Sequence, residues 1–118
     1  MTPRLLIVDD HDGFRAVARD LLSSEGFDVT GEASDGEAAL ALVEAQHPDV
    51  VLLDVQLPGM DGFEIARRIA ALDHPPQVVL TSTRSATSYS ERLASCPVRG
   101  FIPKQDVSAS ALNALIDA

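Results

Sequence analysis

Two hydrophobic patterns alternate along the chain. Unbroken apolar runs at Leu5-Leu6-Ile7-Val8, Val50-Val51-Leu52-Leu53 and Val78-Val79-Leu80 are followed by Asp9, by Asp54 and by Thr81-Ser82-Thr83. Runs this short, with no polar alternation, predict strands buried on both faces, as in a parallel sheet. Weaker strand signals lie at 27–29 and around Val98, Phe101 and Ile102. Between the runs, apolar residues recur with helical spacing. Phe14, Val17, Ala18, Leu21 and Leu22 stand at i, i+3, i+4, i+7 and i+8 and predict a helix that buries this stripe and ends at Gly26. Asp35 is placed to cap a second helix carrying Ala39, Leu42 and Val43, which stops before Pro48. Asp61 is placed to cap a third with Ile65, Ile69 and Leu72, stopping before Pro75-Pro76, and Ser108 a last one with Ala111, Leu112, Leu115 and Ile116. A fourth helix, over 86–95, has the weakest pattern: the stretch is rich in Ser and Thr, and only Tyr89 and Leu93 pair at i, i+4.

A βα unit repeated five times predicts an α/β sandwich of three layers, with a five-stranded parallel sheet, helices on both faces and right-handed crossovers. No linker, repeat or low-complexity stretch interrupts it, so residues 1–118 read as a single domain.

Composition narrows the function. The chain of 118 residues is 46% hydrophobic, enough for a core and too much for a disordered segment. Its formal net charge of −9 would repel a phosphate backbone, so direct nucleic-acid binding by this segment is not expected. The lone cysteine, Cys96, cannot form an internal disulfide and reads as a small buried apolar group. No apolar run approaches the roughly 20 residues that span a bilayer, and Met1-Thr2-Pro3-Arg4 leads into a strand without a signal-peptide pattern. A cytoplasmic protein with no membrane partner is the expectation. His11, His47 and His74 lack ligand spacing and read as surface residues, His11 nearest the candidate site.

In open parallel sheets, ligands bind beyond the carboxyl ends of the strands. Those ends carry Asp9-Asp10, Asp54, Thr81-Ser82-Thr83 and Lys104: carboxylates, hydroxyls and one ammonium. Three carboxylates at one edge repel one another unless a counter-charge joins them, and an oxygen-only shell suits Mg²⁺. Lys104 adds a point charge for an anion such as phosphate. Each residue also has a bland reading: Asp9-Asp10 as a helix cap, Asp54 as a turn residue, Lys104 as a solvated lysine, Thr81 as a loop hydroxyl, Phe101 as plain core. Their convergence on one sheet edge favours the functional reading.

Four segments together resemble the receiver domain of two-component response regulators: Leu6-Ile7-Val8-Asp9-Asp10-His11, the stretch from Leu53-Asp54 through Pro58-Gly59-Met60-Asp61-Gly62, the Leu80-Thr81-Ser82 step, and Gly100-Phe101-Ile102-Pro103-Lys104. The likeness covers essentially the whole chain in the family's order. It implies a flavodoxin-like, doubly wound sheet of order 2-1-3-4-5 and transfer of a phosphoryl group from a kinase phosphohistidine to an aspartate. On this resemblance Asp54 is the phosphoacceptor, Asp10 holds Mg²⁺ directly and Asp9 through water, and Asp54 and the Gln56 backbone carbonyl complete the metal's protein ligands. Thr81, Ser82 and Lys104 would contact the phosphoryl group, and Thr81 and Phe101 would form the switch. The implied partners are a sensor histidine kinase or phosphotransfer protein and an output domain or effector, plausibly transcriptional, with homodimerisation on phosphorylation. The chain would assist its own phosphorylation and autodephosphorylation without being an enzyme otherwise, and would fit as the N-terminal part of a longer regulator. The chemistry agrees, since a carboxylate is a competent nucleophile and Mg²⁺ neutralises phosphoryl oxygens. One departure is that Pro103 precedes Lys104 and Gln105 follows it, where the family often has proline, which leaves the geometry of the Lys104–Gln105 peptide open. Two alternatives remain: a receiver-like module that binds partners without phosphorylation, and a haloacid-dehalogenase-like phosphatase. The latter is weakened by Gln56 standing where that family has an acid/base aspartate.

Overall fold

The computed structural model describes residues 2–116, so the first residue and the last two of the expected domain lie outside the described residues. Strands β1 (Arg4–Val8), β2 (Asp28–Ala33), β3 (Val50–Asp54), β4 (Gln77–Ser82) and β5 (Gly100–Pro103) form one parallel sheet of order β2-β1-β3-β4-β5. Helices α1 (Asp12–Ser24), α2 (Gly36–Gln46), α3 (Gly62–Ala70), α4 (Ser90–Ala94) and α5 (Ala109–Leu115) connect and flank the strands. This is the expected flavodoxin-like architecture.

Successive strand residues point to opposite faces, and the sheet has a core on each. Leu5, Ile7, Leu52, Val79 and Ile102 pack with Ala18 and Leu22 of α1 and Ala109 and Leu112 of α5. Leu6, Val8, Leu53 and Leu80 pack on the other side with Ala39 and Val43 of α2 and Phe63, Ile65, Ala66 and Ile69 of α3. Burial on both faces is why the strands read as continuous apolar runs.

Three helices start where their capping residues predict. Side-chain oxygens of Asp35, Asp61 and Ser108 accept from the backbone N–H of Ala38, Glu64 and Ala111 at 2.8, 2.9 and 3.0 Å. Gly26, just after α1, has φ +108°, a conformation that favours glycine.

Several expectations change. The α1 stripe is narrower than its spacing suggests: Ala18 and Leu22 are buried, but Val17 is 66% and Leu21 37% exposed. Both lie on one flank, rotated about 100° and 60° from Ala18 around the helix axis and past the edge of its contact with the sheet. The second strand is longer than the 27–29 signal, and β4 runs on through Ser82, which makes Thr81 and Ser82 strand residues instead of loop residues. The fourth helical region divides into a 3₁₀ turn (Ala86–Tyr89) and the five residues of α4, which buries none of its own side chains. β5 begins at Gly100, leaving Val98 in the preceding loop. Asp9 and Asp10 do not cap α1; His11 holds that position without a side-chain bond. Cys96 is buried, as expected. The Lys104–Gln105 peptide is trans, like the other described peptides.

Candidate functional site

Strand alternation explains which side chains meet. Ile7, Leu52, Val79 and Ile102 all face the α1/α5 core, so Asp9, Asp54, Thr81 and Lys104, each two residues further on, continue on that side at the carboxyl edge of four adjacent strands. Asp54 and Thr81 are direct cross-strand neighbours in the β3–β4 register.

Asp9 and Thr81 are fully buried and Asp54 is 2% exposed. Lys104 Nζ lies 2.7 Å from Asp9 Oδ2 and 3.3 Å from Asp54 Oδ2, a single ammonium bridging two buried carboxylates. Asp54 Oδ1 accepts the backbone N–H of Gln56 at 3.0 Å. Thr81 Oγ1 is the exception to this pairing: it is buried with no hydrogen-bond partner in the structure. A buried hydroxyl without a partner is costly, and here it lies next to the carboxylate with the strongest claim to chemistry.

Electrostatics show that the cluster is short of positive charge. Burial pushes the Asp54 pKa up from 3.8, and the Asp9 carboxylate adds to the rise, against lowering by the Gln56 N–H and by Lys104. Burial alone would lower the Lys104 pKa, but Asp9 and Asp54 outweigh it and hold the ammonium above its ordinary 10.5. Ligand atoms from Asp9, Asp10, His11 and Asp54 all lie within 4.8 Å of one another. Carboxylate oxygens this close, two of them buried and sharing one ammonium, fit a hard divalent cation such as Mg²⁺.

The structure brings Asp9, Asp10, Asp54, Thr81 and Lys104 to one edge. Ser82, the next residue on β4, points to the opposite face, where its hydroxyl lies 3.1 Å from the Tyr89 hydroxyl and accepts the Arg84 N–H at 3.1 Å. The Ser82 side chain is thus directed away from that of Thr81, because neighbouring strand residues cannot share a face. Phe101 is half-buried, its ring centroid 5.9 Å from that of Tyr89, which in turn lies 5.7 Å from Phe63.

Three further residues take part. His11 Nδ1 lies 3.2 Å from Asp9 Oδ1 and 3.3 Å from Asp10 Oδ1. Arg15, one helical turn beyond His11, donates to the Asp9 backbone carbonyl and pairs with Asp12 and Glu32, which braces the acidic loop. Tyr89, the only tyrosine, stands between Phe63 and Phe101 and anchors the 3₁₀ turn. A single aromatic in a polar stretch was the available signal for Tyr89; nothing local marks Arg15. Gly62 matters through what it lacks: a Cβ there would stand 2.4 Å from the Asp54 carbonyl oxygen, so α3 can start this close to Asp54 only with glycine.

A family model for the response regulator receiver domain matches residues 5–117. The transcriptional regulatory protein NarL of Mycobacterium tuberculosis is 36% identical over 115 residues, which are 97% of this chain and 53% of that protein. Sporulation initiation phosphotransferase F of Bacillus subtilis is 40% identical over 80 residues, 68% of this chain and 64% of that protein. The signal receiver domain of Mycobacterium tuberculosis NarL superimposes with a TM-score of 0.85 at 34% identity, covering 97% of this chain and 96% of that one. The chain thus spans about half the length of the NarL protein.

Proposed function

From the premise that this chain belongs to the response regulator receiver domain family, we propose that Asp54 accepts a phosphoryl group from the phosphohistidine of a sensor kinase or phosphotransfer protein. The carrying observation is the pairing of Asp54, 2% exposed and bonded through Oδ2 to Lys104, with the partnerless Thr81 hydroxyl directly across the strand pair. An Asp54 carboxylate oxygen attacks phosphorus, the phosphorus–nitrogen bond of the donor breaks, and the electron pair stays with the leaving imidazole. Lys104 stabilises the phosphoryl oxygens, and Thr81 gains in the phosphorylated state the hydrogen bond it lacks before it. Asp9, Asp10, Asp54 and the Gln56 backbone carbonyl would hold Mg²⁺, Asp9 through water; the ion supplies charge neutralisation at the phosphoryl oxygens.

The downstream reading follows the same geometry. Reorientation of Thr81 towards the phosphoryl group perturbs β4, whose next residue, Ser82, holds Tyr89 and through it contacts Phe101. Phosphorylation acts by favouring one of two arrangements of this segment. In this reading residues 1–118 are one receiver unit, the N-terminal part of a cytoplasmic regulator whose output is transcriptional, as the name of NarL suggests, and homodimerisation accompanies phosphorylation. The phosphotransferase name of the sporulation relative supports phosphoryl transfer as the shared chemistry.

Incubation with acetyl phosphate and Mg²⁺ followed by intact mass measurement tests the assignment. One phosphoryl mass is expected on the parent and none on Asp54→Asn. Continued modification of Asp54→Asn would move the acceptor elsewhere, and turnover of the phosphodonor without a modified protein would favour the phosphatase alternative.

A further inference from the structure

We propose that His11 is a ligand to the same cation centre, a nitrogen donor that gives it a stronger affinity for borderline transition ions (Mn²⁺ to Ni²⁺) than the carboxylates would confer alone. The inference rests on the reading of Asp9, Asp10 and Asp54 as a cation site.

The geometry is specific to one ring atom. His11 Nδ1 lies 3.2 Å from Asp9 Oδ1 and 3.3 Å from Asp10 Oδ1. Neighbouring donors of an octahedral ion are separated by √2 times the bond length, about 3.0 to 3.3 Å for bonds of about 2.1 to 2.3 Å. The 3.3 Å separation from Asp10 matches an octahedron's edge, while Asp9, which reaches the ion through water, holds the ring beside it; donors of Asp10, His11 and Asp54 fall within the 4.8 Å that encloses such a shell. The residue is also positioned by its backbone: the His11 N–H donates to Asp9 Oδ1 at 2.8 Å, and His11 caps the start of α1. Its ring is 67% exposed, so an ion can reach Nδ1 from solvent. Independently, the fully buried Thr81 hydroxyl without a partner, across from Asp54, marks this edge as a place completed by a ligand.

Without the ion, Nδ1 lies 3.2 Å from Asp9 Oδ1, with Lys104 Nζ 3.5 Å away. With it, the neutral ring carries its proton on Nε2 and directs the Nδ1 lone pair to the metal. Carboxylates and water satisfy Mg²⁺ as well as they do Mn²⁺, whereas imidazole adds most to ions further along the Irving–Williams order. The signature is therefore a selective effect: removing the imidazole weakens Ni²⁺ much more than Mg²⁺.

The test uses a background of His47→Asn and His74→Gln, so that His11 is the last histidine; Asn suits position 47, where φ is +49°. In this background the chain and its His11→Gln variant are titrated calorimetrically with Mg²⁺ and with Ni²⁺. Expected are Ni²⁺ affinity lower by about tenfold or more in the variant and Mg²⁺ affinity within about twofold of the parent. Pulsed EPR of bound Mn²⁺ adds a readout that folding alone does not move: ¹⁴N modulation present in the parent and absent in the variant. Equal Ni²⁺ affinities, or no ¹⁴N modulation in the parent, overturn the ligand role and leave the Mg²⁺ site standing. Failure of the parent to bind Mg²⁺ overturns the cation site itself, and His11 with it.

Discussion

At the scale of the residue, Asp54 is a group whose function opposes stability. Its pKa is raised from 3.8, chiefly by burial, so the folded protein holds the proton to higher pH than the unfolded chain. Its contribution favours folding below 3.8 and is lost as pH rises through the raised value. Once ionised, the carboxylate therefore weakens the fold. Asp54→Asn, which keeps the shape and removes the charge, is expected to raise the melting temperature at pH 7, with the advantage closing as pH falls below 3.8. Thermal melts of both proteins from below the ordinary carboxylate range, about pH 3, up to neutrality check this; a mutant less stable at pH 7 would mean the Lys104 pairing outweighs burial. Lys104 works in the opposite sense: its raised pKa means its stabilising contribution is present below 10.5 and lost as pH rises through the raised value.

At the scale of the element, two segments carry the consequences. The start of α3 depends on Gly62, where an added Cβ would press on the Asp54 carbonyl at 2.4 Å and the Val55 Cα at 2.8 Å. Both contacts are backbone, which cannot rotate away. Gly62→Ala is expected to destabilise by about 2 kcal/mol or more and to weaken Mg²⁺ binding by displacing Asp54; urea unfolding midpoints and Mg²⁺ titration measure the two, and an unchanged midpoint would show that the helix start adjusts freely. The other segment is the 3₁₀ turn and α4. It is tied down by Tyr89 to Ser82, and by Arg92, whose guanidinium stacks 4.2 Å from the Phe63 ring centroid and pairs with Asp61 at 2.7 Å. Burial alone would raise the Asp61 pKa, but the Arg92 bond and the backbone N–H groups at the start of α3 outweigh it and hold the carboxyl low. With few anchors and no buried residue of its own, α4 is the helix most easily released. Tyr89→Phe removes one of those anchors. It should speed amide exchange across 84–95 while leaving β1 and β3 unchanged, a pattern that exchange mass spectrometry reads directly; uniform protection would place the tether elsewhere.

At the scale of the whole molecule, the cation links the site to global stability. A ligand that binds only the folded state stabilises it by mass action, about 2.7 kcal/mol at one hundred times its dissociation constant. Mg²⁺ is expected to raise the melting temperature of the parent and to have little effect on Asp10→Asn. The choice of Asp10 keeps the test clean, because its side chain is 35% exposed and does not support the core. An equal Mg²⁺ response in both would place the ion away from Asp10. The net charge of −9 adds to this dependence, since the fold gathers part of an acidic chain's carboxylates at one edge. Among the described residues no helix is long and apolar enough to cross a membrane.

Much of the fold was legible along the chain because its signals are local. Unbroken runs such as Val50 to Leu53 identify doubly buried strands, and Asp35, Asp61 and Ser108 identify helix starts, since burial periodicity and capping act over a few residues. The polar residues at strand ends were legible for the same reason, and the four-segment resemblance supplied their expected roles. The exposure of Val17 and Leu21 was not legible, because helical spacing defines a stripe but not how much of it a neighbouring sheet covers. Nor was the separation of Thr81 from Ser82, which depends on β4 continuing for two more residues so that the pleat turns one hydroxyl toward Asp54 and the other toward Tyr89. Only the tertiary structure joined Lys104 to both Asp9 and Asp54 and left the Thr81 hydroxyl beside Asp54 without a partner, because distances between residues far apart in sequence are determined by strand order and register, which no local stretch encodes.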